Sequence, residues 1–209
     1  MIETIDPFIY VEDNVIPDNI CDEIIKKFEE SNDAQFQGKI NGGEIKTNIK
    51  DSVDLDIGSW YEWKPLHTTL MDSLKPFVDR YVDHCITTQS RKSFSTGDYL
   101  PFGPPLSGWI QPTPFQLQKT TPGKGYVWHN DYYPGRVLTQ IFYLNDVEEG
   151  YTEFRSGDKV QPKKGRGCLF PSEWTYFHQG YPPKNDKYIA IGWIMKQFYL
   201  QEINHVNNY

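Results

Sequence analysis

The sequence predicts an α+β fold in which two helices precede an antiparallel β core. Three observations support this: aromatic residues make up 15% of the 209 residues, 16 glycines and 15 prolines interrupt the chain, and the spacing of apolar residues changes near residue 90. Aromatic segments divided by turn residues favour strands, in which side chains alternate with a period of two. Before residue 90 the apolar period is helical instead.

The first 90 residues have the pattern of one strand and two helices. Residues 8–11 are predicted as a strand, and residues 18–31 as a helix with Asp18 at its N-cap. A second helix is expected over about 65–85, because its apolar residues recur three or four positions apart. Pro76 lies inside this helix and is expected to kink or split it.

The β core is predicted from seven short segments rich in aromatic or β-branched residues, which Gly, Pro, Asp or Asn separate. These segments are 106–120, 125–131, 137–145, 151–155, 166–171, 176–181 and 187–199. Seven or eight strands in this length are typical of a sandwich or barrel, and a jelly-roll is one way to close it. We expect the helices to cover the outside of one sheet.

The chain is interpreted as a single domain over residues 1–209. Residues 1–90 form a helical preface, within which 33–58 is a polar loop with one short strand, residues 91–200 form the β core, and residues 201–209 form a tail.

Charge and composition exclude several kinds of partner. The net charge is −7, so no basic footprint for nucleic acid is expected. No segment approaches the ~20 apolar residues of a membrane span, and Met1–Thr4 lacks the features of a signal peptide. Cys21, Cys85 and Cys168 lie far apart and fit reduced thiols. We therefore expect a cytoplasmic protein without a membrane or nucleic-acid partner.

Two of the five histidines lie in segments that suggest a metal site. His129 and Asp131 are two residues apart at the end of a predicted strand, so their side chains share one face. His178 lies in a later strand. Two histidines and one carboxylate can occupy one face of Fe(II) and leave its other positions open. Each motif alone is also compatible with an ordinary structural histidine or a surface pair.

Lys187 strengthens this interpretation. It begins a predicted strand in which Ile189, Ile191 and Trp193 share its face, so a lysine heads an apolar, inward row. A buried ammonium group is costly without a fixed anion. That anion is either an Asp or Glu of the chain or a bound dicarboxylate, and the sequence leaves both open.

With these residues the sequence resembles the iron(II)/2-oxoglutarate-dependent dioxygenases, specifically the prolyl 4-hydroxylase-like branch. The resemblance is strong over residues 110–200 and includes Gly123–Tyr126, Ile141–Asn145 and Leu169–Ser172. Phe8–Ser31 also resembles the helical preface of compact members. The resemblance implies a double-stranded β-helix, or jelly-roll, core with the N-terminal helices packed on one sheet.

The resemblance also implies roles for individual residues. His129, Asp131 and His178 would ligate Fe(II) and form the catalytic centre. Lys187 would bind the distal carboxylate of 2-oxoglutarate, assisted by the hydroxyl of Tyr143.

One position departs from the family. A tyrosine usually stands nine residues before the first histidine, where this chain has Thr120. Thr120, the adjacent Lys119 or a water molecule would then supply that cofactor contact. Arginine is also common in the family at the position of Lys187, and lysine makes a point contact where arginine makes a planar fork.

The implied activity is hydroxylation of a substrate C–H bond with O2 and 2-oxoglutarate, with ascorbate as an optional accessory. A prolyl residue in a peptide or protein is the favoured substrate, by family analogy. One or both of Trp128 and Trp193 are expected to line the cavity, although core packing also explains them, and Arg136 is a candidate substrate contact. The segment 89–107 is either a lid over a peptide groove or a packed connection.

Two alternatives remain open at this point. The first is a small-molecule hydroxylase of the same family. The second is a non-catalytic β-sandwich binding module that keeps a relic of the metal site, and the complete set of three ligands and Lys187 argues against it.

Overall fold

The computed structural model describes residues 2–40, 42–90 and 110–196, which form two helices and two β-sheets. The helices are α1 (Asp18–Glu30) and α2 (Lys64–Ser90), with short 3-10 helices at Asn32–Ala34, Ile57–Ser59 and Tyr61–Trp63. The strands are β1 (Tyr10–Glu12), β2 (Phe36–Gln37), β3 (Val53–Asp56), β4 (Ile110–Pro112), β5 (Gln116–Thr120), β6 (Tyr126–His129), β7 (Arg136–Tyr143), β8 (Thr152–Phe154), β9 (Lys159–Val160), β10 (Gly167–Pro171), β11 (His178–Gly180) and β12 (Lys187–Lys196).

The strands form a larger and a smaller antiparallel sheet. The larger sheet has the order β1-β10-β7-β12-β5-β3-β2, with β4 also paired to β12, and the smaller has the order β6-β11-β8-β9. Side chains from both sheets share one apolar cluster, which includes Ile141 and Ile189 from the larger sheet and Phe154 from the smaller. The predicted double-stranded β-helix is confirmed.

The larger sheet packs on the helices with one face and encloses the site with the other. On β12, Ala190 and Ile194 join the helix-facing core together with Leu70 and Phe77 of α2. Burying each such Leu or Phe contributes about 2 kcal/mol. The alternate residues of β12, such as Ile189, face the inner cluster. The helices therefore cover the outside of one sheet, as the sequence predicts.

Both helices differ in detail from the prediction. Pro17, in extended conformation, occupies the N-cap of α1, and Asp18 is the first helical residue, without a capping side-chain hydrogen bond. α2 continues through Pro76 and is not split there. Leu74 and Phe77 on either side of this proline are buried in the core, and this tertiary packing stabilises the helix despite the hydrogen bond that proline cannot make.

The predicted preface contains more β structure than expected. Residues 33–58 contribute two strands, which extend the larger sheet beyond β5, with Leu55 opposite Leu117. The two-residue strand β9 was not predicted, because it is too short to show a period. The candidate lid beyond Ser90 and the tail 201–209 lie outside the described residues. In the part of the chain that is described, no helix has the length and apolar character that a bilayer span needs.

Candidate active site

The three predicted metal ligands lie together at the smaller sheet, where β6 ends and β11 begins. His129 and His178 are directly opposite each other in the β6–β11 pair, and Asp131 follows β6 by two residues. The candidate ligand atoms of the three side chains all lie within 4.8 Å of one another. His129 Nε2 is 3.9 Å from one oxygen of Asp131, and His178 Nε2 is 3.7 Å from the other.

The backbone fixes which nitrogen of each ring faces the cluster. His129 Nδ1 lies 2.8 Å from the carbonyl of Val127, and His178 Nδ1 lies 3.0 Å from the carbonyl of Tyr176. A carbonyl accepts, so each Nδ1 carries the proton and each Nε2 presents a lone pair. This second hydrogen bond is the usual way in which a protein orients a metal-binding histidine.

Electrostatics keep the cluster in the protonation state that a metal needs. Burial, reinforced by the neighbouring His178, lowers the pKa of His129 to about 3, so the ring is neutral at pH 7. Burial opposes ionisation of Asp131, but His178, His129 and the hydroxyl of Thr139 together hold its pKa below the usual value. Two imidazoles and one carboxylate are a donor set that fits Fe(II).

Two residues that the sequence did not single out as site residues hold the carboxylate in place. Thr139 on β7 donates a hydrogen bond of 2.8 Å to Asp131 Oδ2, and its hydroxyl lies 2.9 Å from that of Ser172. Both hydroxyls are buried. Thr139 shares the inward face of β7 with Ile141 and Tyr143. A polar residue at this inward position was the signal in the sequence that could have identified it.

Replacing Thr139 with valine is expected to weaken metal binding. Valine keeps the shape but cannot orient Asp131, and loss of such an outer partner typically costs ~10- to 100-fold in metal affinity. Titration of the purified variant with Mn(II) measures the effect, and Thr121→Val, at an exposed threonine, is the matched control. Unchanged Mn(II) affinity in Thr139→Val would show that Asp131 is positioned without this hydroxyl.

Lys187 is buried and lies in the same cavity as the two histidines. Its ammonium group donates a hydrogen bond of 2.9 Å to the carbonyl of Gly150. Burial lowers its pKa to about 8, and among the described residues no carboxylate forms an ion pair with it. Of the two anions that the sequence left open, a bound dicarboxylate therefore fits the surroundings of Lys187 better than an internal Asp or Glu.

The cavity between the sheets has an empty volume of about 500 Å³, including its open mouth. Its lining combines the two histidines with polar and apolar side chains: Lys50, Ser52, Gln118, Thr120, Tyr126, Ile141, Thr152, Lys187, Ile189 and Ile191. Gly125 and Gly180 also line it. Their close approach requires glycine at position 125, because a Cβ there would lie 2.5 Å from the carbonyl oxygen of Gly180. Thr120 is directly opposite Lys187 in the β5–β12 pair.

Two predicted cosubstrate contacts are placed differently from expectation. Tyr143 is fully buried behind the cavity wall, and its hydroxyl lies 2.7 Å from that of Thr152, which does line the cavity. Lys119 alternates with Thr120 and faces outward, where it pairs with Glu29 and Asp186. It is thus not a substitute for the family tyrosine.

The predicted substrate contacts take part in two tryptophan–arginine pairs. Arg155 is 4.1 Å from the Trp128 ring centre, and Arg136 is 3.8 Å from that of Trp193. Neither tryptophan is among the residues that line the cavity. Arg136 also donates a hydrogen bond of 3.1 Å to the backbone carbonyl of Asp131. Arg136 thus directly adjoins the candidate metal-ligand cluster, and a role for the tryptophans in the cavity stays a prediction.

A comparison with protein families finds one match within the chain. Residues 115–195 match the model of the 2OG-Fe(II) oxygenase superfamily. This range includes the three clustered ligands and Lys187. No curated protein sequence matches the chain significantly.

Several solved structures share the fold. A prolyl hydroxylase from Trichoplax adhaerens, in complex with a peptide of the hypoxia inducible factor oxygen degradation domain, superposes with a TM-score of 0.68 and 18% identity over 92% of this chain and 85% of that one. The viral collagen prolyl hydroxylase of Paramecium Bursaria Chlorella virus-1, in complex with 2OG, gives 0.57 and 19% over 90% and 96%. A Pseudomonas putida prolyl-4-hydroxylase gives 0.58 and 13% over 90% and 93%. At sequence identities this low, the superpositions establish that the fold is shared and nothing more.

Proposed function

We infer that this chain, which belongs through residues 115–195 to the 2OG-Fe(II) oxygenase superfamily, hydroxylates a prolyl residue of a peptide or protein. Membership of the superfamily predicted from the sequence is confirmed, and with it an oxygenase that uses Fe(II) and 2-oxoglutarate. The observation that carries the proposal is the clustering of His129, Asp131 and His178, together with a cavity that both histidines line with Lys187, a buried cation.

In this proposal His129, Asp131 and His178 hold Fe(II), and Lys187 binds the distal carboxylate of 2-oxoglutarate. When bound, iron and cosubstrate supply the chemistry in which O2 and 2-oxoglutarate are consumed, succinate and CO2 are released, and one oxygen atom enters the substrate C–H bond. The cosubstrate is a dianion, and the charge of Lys187 in a low-dielectric wall favours it over monoanionic 2-oxo acids that lack the distal carboxylate.

The protein's own contribution is orientation and the exclusion of water. Thr139 fixes the carboxylate of Asp131, and the backbone carbonyls behind both histidines fix their rings. Ile141, Ile189 and Ile191 give the cavity an apolar wall. Such a preorganised, poorly hydrated site protects a reactive centre from side reactions with water.

The surface around the site supports a peptide substrate. Tyr132, Tyr133, Trp174 and Phe177 are exposed large aromatic residues on the segments that flank the ligands. Aromatic surfaces bind the rings of proline and extended proline-rich segments. The three solved structures described above are named as prolyl hydroxylases, and one of them is in complex with a peptide.

Arg136 and Trp193 are proposed to bind the peptide backbone next to the hydroxylated residue. They stack on each other beside the metal ligands. The guanidinium of Arg136 is only partly buried and donates one hydrogen bond among the described residues, to the carbonyl of Asp131. Its other N–H groups are suitable donors for a substrate carbonyl.

Mass spectrometry of proline-containing peptides tests the substrate class. Peptides incubated with the protein, Fe(II), 2-oxoglutarate and O2 are expected to gain one oxygen atom on proline, in proportion to the succinate formed. Peptides with alanine in place of proline serve as controls and are expected to remain unmodified. Oxygen incorporation into non-prolyl residues or small molecules, and never into proline, would contradict the prolyl assignment and favour the small-molecule alternative.

We further propose that the protein acts in the cytoplasm. Cys21, Cys85 and Cys168 are free thiols, which is compatible with a reducing compartment.

A further inference from the structure

We propose that Lys50 is a second cosubstrate-binding residue, which donates a hydrogen bond to the 2-oxo acid end of 2-oxoglutarate while Lys187 binds the opposite end. The proposal rests on the proposed function, because it concerns the same cavity. Lys50 belongs to the segment 33–58, which was predicted to be mainly a polar loop. It lies outside residues 115–195, which match the oxygenase family.

Lys50 is part of a buried polar group in the cavity wall. Its ammonium group lies 2.6 Å from Asp54 Oδ2, and the hydroxyl of Ser52 donates a hydrogen bond of 2.7 Å to the other oxygen of Asp54. All three side chains are buried, and Lys50 and Ser52 line the cavity. Residues 50, 52 and 54 alternate along the strand direction, which places them on one face.

This group is fixed to the strand that carries the first metal ligand. Lys50 pairs with Tyr126 in an isolated β-bridge, and on either side the amide of Val127 donates to the carbonyl of Ile49 at 2.9 Å and that of Asp51 to Gly125 at 3.0 Å. The Lys50 ammonium lies 5.8 Å from the centre of the Tyr126 ring.

The same tyrosine connects Lys50 to the metal-ligand cluster. The ring of Tyr126 stacks on that of His129 with centres 3.5 Å apart. Lys50 is therefore on the His129 side of the cavity.

Lys187 lies on β12 of the larger sheet, which also contains β3, the strand that follows Lys50. It lies opposite Thr120 and donates to the carbonyl of Gly150. The cavity thus has two buried lysines, one held by β12 and one by the segment before β3. A five-carbon dicarboxylate whose distal end is bound by Lys187 extends toward the metal ligands, where Lys50 is the cation in the wall.

The chemistry of the Lys50–Asp54 pair suits a donor to a bound anion. An ammonium group has three N–H bonds, and within the described residues that of Lys50 donates one hydrogen bond, to Asp54. The pair is neutral overall, which lowers the cost of burying it. Asp54 and Ser52 orient the ammonium and leave donors free for a carboxylate in the cavity.

Two ligands distinguish the ends of the cosubstrate. 2-Oxoglutarate has both ends, whereas 2-oxopentanoate keeps the 2-oxo acid but lacks the distal carboxylate. Calorimetry with the Mn(II)-loaded protein gives the dissociation constant of each, and the visible charge-transfer band of the anaerobic Fe(II) complex reports on chelation independently of turnover. Lys50→Met is expected to raise both dissociation constants about 10-fold or more, since hydrogen bonds to charged groups contribute about 1.5–3 kcal/mol.

Lys187→Met is the contrasting variant and should weaken 2-oxoglutarate far more than 2-oxopentanoate. Lys124→Met is the matched control, because Lys124 is an exposed lysine that pairs with Asp51 in the same region, and it should change neither constant. Since Lys50→Met leaves Asp54 buried without its partner, Lys50→Met/Asp54→Asn, which removes both charges, is measured in parallel. The double variant should show the same weakening with Mn(II) affinity unchanged.

Three results would overturn the proposal. They are wild-type affinity for both ligands in the Lys50 variants, weakening of 2-oxoglutarate alone, or a parallel loss of Mn(II) affinity, which would indicate that Lys50 only supports His129. Failure of the proposed function would give a different result. In that case the wild-type protein itself would not bind 2-oxoglutarate in the presence of Mn(II), and it would not form succinate.

Discussion

Asp131→Ala is expected to abolish succinate formation and substrate hydroxylation while the protein remains folded. Asp131 is the carboxylate member of the ligand cluster, so its loss leaves only two imidazole ligands for a divalent cation. Even outer partners of metal ligands typically contribute 10- to 100-fold, so removal of the carboxylate itself should cost more than ~100-fold in turnover. Succinate release and oxygen incorporation, measured at saturating 2-oxoglutarate, report the loss.

The fold should survive this substitution. Asp131 is buried among groups that stabilise its charge, and alanine introduces no new buried charge, so circular dichroism and thermal unfolding should show a cooperative, folded protein. Asp56→Ala is the control, because Asp56 is an exposed carboxylate on β3. A folded Asp131→Ala variant with wild-type turnover would refute the ligand assignment.

Lys187→Met is expected to raise the dissociation constant of 2-oxoglutarate by ~30-fold or more, because truncation of one partner of a buried charge pair costs about 2–5 kcal/mol. Lys187 is buried and hydrogen-bonded to Gly150, so no water can replace its charge at the distal carboxylate. Lys187→Arg keeps the charge and should retain most of the affinity. Calorimetry with Mn(II) measures all three proteins, and equal binding by Lys187→Met would remove Lys187 from the site.

The same lysine predicts a pH dependence with a defined sign. Burial lowers the pKa of Lys187 to about 8 in the free protein, so it is charged below pH 8 and loses its proton as the pH rises above that value. The dissociation constant of 2-oxoglutarate should thus be constant at lower pH and rise by up to about tenfold per unit above pH 8. Lys187→Arg, whose guanidinium stays protonated, should abolish this rise, and persistence of the rise would assign it to another group.

The sequence was sufficient for the features that depend on local spacing. His129 and Asp131 share a face because two residues separate them at a strand end, and the inward row of β12 follows from the same alternation. The existence of α1, α2 and most core strands follows from apolar periodicity. These are short-range properties of the chain, and they survive in any fold that buries the apolar face.

The remainder depends on how distant strands pair. Thr139 meets Asp131 and Ser172 only once β7, β10 and the loop after β6 are placed together. Lys50 enters the cavity because its segment pairs with Tyr126, a register that no local pattern specifies. Tyr143 has the expected position on β7, but its hydroxyl is hydrogen-bonded to that of Thr152. The residue type alone could not show that this hydroxyl is buried behind the cavity wall.

A crystal structure of the protein with Mn(II) and 2-oxoglutarate, grown without O2, tests the whole arrangement at once. Electron density should show the cation bonded to Nε2 of His129, a carboxylate oxygen of Asp131 and Nε2 of His178, with the far carboxylate of the dianion against the ammonium of Lys187. A cation bound elsewhere, or a cosubstrate that leaves Lys187 without contact, would contradict the proposed oxygenase site.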